Sequence, residues 1–122
     1  MGDVGVFNKL ENKIEETIDF VGSFRLTSRA TTGDGNDYTA TEDDHIVAAD
    51  TSSSALTVTL PSVSVEEGKV YVVKDEGGNA GTNNVEVATE GSESIDGSST
   101  ATISSDHGVV EVYSDGTDWY TK

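Results

Sequence analysis

Residues 68–87 read GKVYVVKDEGGNAGTNNVEV. Val70 to Val73 and Val85 to Val87 have strand chemistry, and residues 75–84 between them hold two acids, three glycines and three asparagines. A calcium site in this loop would draw on Asp75, Glu76, Asn79 and Asn83. The D-x-[DN]-x-[DN]-G-x5-E spacing of an EF-hand is absent, so these are weak candidates and no metal or cofactor is expected. A phosphate cradle needs a lysine inside the loop or a helix after it, and this loop feeds a strand. The remaining reading is a structured corner: Gly77, Gly78 and Gly81 permit unusual backbone angles, and Asn79, Asn83 and Asn84 can bond to nearby backbone.

Working outward, the apolar period is two from Tyr38 onward. Strands are expected near 37–41, 45–49, 55–60, 69–74, 84–88, 101–104, 109–114 and 117–121, with a short one around 94–95. Turn signals separate them, and Asp115-Gly116 between Tyr113 and Trp119 marks a tight hairpin. In residues 55–60, Leu56, Val58 and Leu60 share one face and Thr57 and Thr59 the other. In 109–114, turning Val110, Val112 and Ser114 inward keeps Glu111 in water. Trp119 is expected as the largest core residue. Many short strands at this spacing predict a mainly β domain over 38–122, an antiparallel β-sandwich or jelly-roll-like fold.

A polar linker is expected at 27–37, and before it residues 1–26 change period. Phe7, Leu10, Ile14, Thr17 and Val21 follow three-four spacing, and Ile18 widens the stripe, which predicts a short N-terminal α-helix ending near Gly22. A helix of this length is marginal alone, so its apolar stripe needs cover. Phe7, Leu10, Ile14, Ile18 and Val21 are therefore candidate oligomerisation or attachment residues. Their cover could be copies of the helix, another protein or the chain's own sheet.

Charge narrows the function. The 122 residues carry 23 acids against 7 bases, net −16, and residues 31–122 hold eighteen acids and three bases. Such a surface repels nucleic acid and anionic lipid, so neither is an expected partner. Molar salt shortens the Debye length to about 3 Å and screens the self-repulsion, which points to a high-salt source over an ordinary acidic surface. There is no cysteine, and the longest apolar run, residues 46–49, is far short of the roughly 20 needed to cross a bilayer. No signal peptide is read at the start.

His45 and His107 each lie beside acids, Asp43-Asp44 and Asp106, but no G-x-S-x-G elbow accompanies them, and no catalytic residue is expected. Glu66-Glu67 and Glu42-Asp43-Asp44 read as solvated surface, since adjacent acids rarely converge across a cleft.

From Thr57 on, the chain presents TVTLP, GKVYVVKDEGGNAGTNN, G-x-x-x-I-D-G, an I-S strand and VEVYSDGTDWY in that order. This order resembles an all-β module of phage and archaeal-virus tail fibres, spikes and capsid decorations. The resemblance covers roughly residues 38–122. It implies a non-enzymatic virion structural protein on the particle exterior, usually trimeric, with no active site to carry over. Together with the acidity it implies a haloarchaeal virus. The small, self-contained domain favours a capsid decoration, turret or spike subunit. The alternative is a tail-fibre or spike receptor-binding module that contacts host surface glycans through aromatics such as Tyr38 or Tyr120. The expected partners are copies of itself, three or, on a vertex, five, and other capsid or virion proteins.

Overall fold

The computed structural model of the protein describes residues 29–33, 35–62 and 67–122. The expected helix over 1–26, with Phe7, Leu10, Ile14, Ile18 and Val21, lies outside the described residues. Those residues form nine strands: β1 (Arg29–Gly33), β2 (Tyr38–Thr39), β3 (Ile46–Asp50), β4 (Leu56–Leu60), β5 (Val70–Asp75), β6 (Val85–Thr89), β7 (Thr100–Ile103), β8 (Val109–Ser114) and β9 (Trp119–Thr121). They make two sheets, ordered β1-β3-β5-β8-β9 and β2-β4-β6-β7.

The order shows a coil. Each of the first six strands lies in the opposite sheet from its chain neighbour, so the chain winds between the layers and returns beside its previous turn. Parallel strands need a long crossover, and here the strand in the other sheet supplies it. Consequently β1, β3 and β5 pair in parallel, as do β2, β4 and β6. Only β5 with β8, β6 with β7 and β8 with β9 are antiparallel. The expectation of an antiparallel sandwich is corrected to two mixed sheets, because alternating side chains reveal which face is buried but not which way the neighbouring strand runs. A second correction concerns Arg29–Gly33: it was read as linker and is the edge strand β1.

The core lies between the layers. Val47 and Ala49 of β3, Tyr71 and Val73 of β5, and Val112 of β8 meet Leu56, Val58 and Leu60 of β4 and Val85 and Val87 of β6. Leu56, Val58 and Leu60 are inward as their alternation requires, and Val112 and Ser114 are buried while Tyr113 is 39% exposed. Trp119 is the largest fully buried side chain, its ring centroid 5.6 Å from that of Tyr71. Ile95, expected in a short strand, makes single bridges to Ser98 and Trp119.

Two turns differ in backbone sign. Asp96 and Gly97 both have positive φ, 51° and 85°, and Ile95 and Ser98 exchange both backbone hydrogen bonds, giving a two-residue hairpin of the primed type. Asp115-Gly116 instead opens a longer loop between Ser114 and Trp119. The Asp115 carboxylate accepts the N–H groups of Thr117 and Asp118, each at 2.8 Å, and those donors hold its pKa below the ordinary value.

Candidate functional site

The loop from β5 to β6 lies at the end of the sandwich where β3 and β5 finish and β8 begins. Asp75 is the last residue of β5 and points inward, because Tyr71 and Val73 of the same phase face the core. It is fully buried. Its Oδ1 accepts the Gly78 N–H at 3.0 Å, and its Oδ2 accepts those of Ala80 and His107, both at 2.9 Å. Burial alone would raise the Asp75 pKa. The three backbone donors and the neighbouring His107 outweigh it and hold the carboxyl below its ordinary value.

The rest of the loop closes around this centre. Glu76 and Gly77 donate their N–H groups to the Ala49 carbonyl at 2.9 and 3.2 Å. Asn79 Nδ2 donates to Gly77 O and Ser52 Oγ, Asn83 Nδ2 to Thr51 O, and Asn84 Nδ2 to Ala80 O. Gly81 N–H reaches Asp106 Oδ1 at 2.9 Å. Gly78, at φ +79°, passes so close to His107 that an added Cβ would meet the ring Nε2 at 2.7 Å. The loop thus ties the β3–β4 connection and the β7–β8 turn to the end of β5.

The four candidate cation ligands do not converge. Asp75 faces inward onto N–H donors. Glu76 faces outward and forms an ion pair with Arg29, whose Nε donates to Glu76 Oε2 at 3.1 Å; that hydrogen bond and charge hold Glu76 below its ordinary pKa. Asn79 and Asn83 spend their amides on Ser52, Gly77 and Thr51. Among the described residues no group of three His, Asp or Glu side chains gathers around a common point. His45 Nδ1 lies 3.2 Å from Val70 O and His107 Nδ1 lies 3.2 Å from Asp75 O, at opposite ends of β5, so the two histidines do not share a site.

A second polar centre, at the other end of the sandwich, is absent from the sequence reading. Asp44 is 8% exposed, not a solvated acid as its neighbours Glu42 and Asp43 suggested. Its Oδ2 accepts the Tyr38 hydroxyl at 2.6 Å and the Thr41 N–H at 2.9 Å, and Tyr71 OH donates to Thr41 O at 2.8 Å. Donation to Asp44, reinforced by burial and by the carboxylate charge, pushes the Tyr38 pKa up to about 12. Burial, then the charge of Asp44, raises that of Tyr71. Tyr38 was expected as an exposed aromatic and is half-buried, whereas Tyr120 is 37% exposed beside Tyr113, with ring centroids 5.8 Å apart. The available signal was Asp43-Asp44 directly before a strand, with a tyrosine six residues upstream.

The outer faces differ in kind. Alternation and register place Thr39, Thr57, Thr59, Thr100 and Thr102 with Glu86 on the outside of the smaller sheet. A shallow polar groove of about 290 Å³ lies there, lined by Asp37, Thr57, Asn84, Glu86 and Thr102 among others. The outside of the larger sheet carries Ile46, Val70, Val72, Val109, Tyr113 and Tyr120.

No protein-family model matches the sequence, and no curated protein matches it.

Proposed function

We propose that the protein is a structural subunit on the exterior of a virus particle from a high-salt host, a capsid decoration, turret or spike protein that works as a homo-oligomer. The observation that carries this reading is the closure of the 75–84 loop on Asp75. The glycines and asparagines that could have offered a ligand free polar groups are engaged with the loop's own backbone and with two neighbouring turns. Their role is to brace a corner of a stacked coil, which suits a mechanical module over a catalytic one. The net charge of −16 supports exposure to brine, where screening removes the penalty of like charges. The N-terminal stripe, with Phe7, Leu10, Ile14, Ile18 and Val21, supplies the attachment.

The test is antibody labelling of intact particles from the source, with antibodies raised against the β-domain. Surface labelling, lost when residues 1–24 are deleted from a chain that keeps its β circular dichroism, is the expected result. Absence of the protein from purified particles, or normal attachment after the deletion, overturns the reading. Exposure of Tyr120 favours one variant of it, in which the particle-borne module contacts host surface glycans. A glycan array that loses its signal on Tyr120→Ala checks that variant.

A further inference from the structure

We draw no further inference here: the strongest candidate, the apolar outer face of the β1-β3-β5-β8-β9 sheet with Val109, Tyr113 and Tyr120 exposed on it, carries none, because nothing among the described residues shows what covers it.

Discussion

The carboxylate of Asp75 accepts the backbone N–H of His107 at 2.9 Å, joining the end of β5 to the turn that starts β8. With Gly78 and Ala80 it gathers three backbone donors around one buried charge.

Asp75→Asn is therefore expected to cost about 2–3 kcal/mol near neutral pH, because an amide NH2 group replaces an acceptor that faces N–H donors. The folded pKa of Asp75 is depressed, so its contribution is present above the unfolded value of about 3.9 and is lost as pH falls through the folded pKa. Urea titrations of wild type and variant between pH 7 and pH 2 should show the stability gap closing only below about pH 4. A gap that stays constant with pH refutes the charged role of Asp75.

Gly78 faces the same histidine. Its φ of +79° and the short approach to His107 leave no room for a methyl group, so Gly78→Ala should destabilise by about 1–3 kcal/mol, read as a lower denaturation midpoint at unchanged slope. Gly97→Ala is the comparison: the backbone sign is the same, but nothing lies within 4 Å of the added carbon, so its cost should be smaller.

Tyr38 behaves oppositely to Asp75 in pH. Its pKa is raised to about 12, so its bond to Asp44 is fully present below the unfolded value of about 10 and is lost as pH rises through 12. Tyr38→Phe should cost about 1 kcal/mol at neutral pH, and the difference from wild type should vanish between pH 10 and 12. Ultraviolet difference titration should also lose one phenol with a midpoint near 12.

Trp119 combines full burial with an indole N–H that has no hydrogen-bond partner among the described residues. Trp119→Ala removes the ring and leaves a cavity, at about 3–5 kcal/mol. Trp119→Phe also removes the unpaired donor, which offsets part of the lost packing, and should cost only about 1–2 kcal/mol. Equal losses from the two substitutions, measured by chemical denaturation, would show that Trp119 N–H has a partner.

The faces of the strands were legible in the sequence; their directions were not. Leu56, Val58 and Leu60 declare an inward phase whether the neighbour is parallel or antiparallel, and it is the neighbour, β6, that makes the pairing parallel. Arg29–Gly33 escaped notice because RATTG is small and polar. It forms an edge strand through backbone pairing with β3 and contributes only Ala30 and Thr32 to the inner side. The 75–84 loop could be read as a corner from its glycines and asparagines. The burial of Asp75 could not, since one of its donors comes from His107, thirty-two positions along the chain. Asp44 was hidden for the same reason, as its partner Tyr38 reads as an ordinary strand aromatic until the chain has folded.

The weaving of the first six strands has a mechanical consequence. Every link from β1 to β6 passes from one layer to the other, so the layers are laced together and have no hinge about which to part like a clam. Prising them open means undoing the lacing turn by turn, and heat should melt both layers in a single transition rather than peel one from the other.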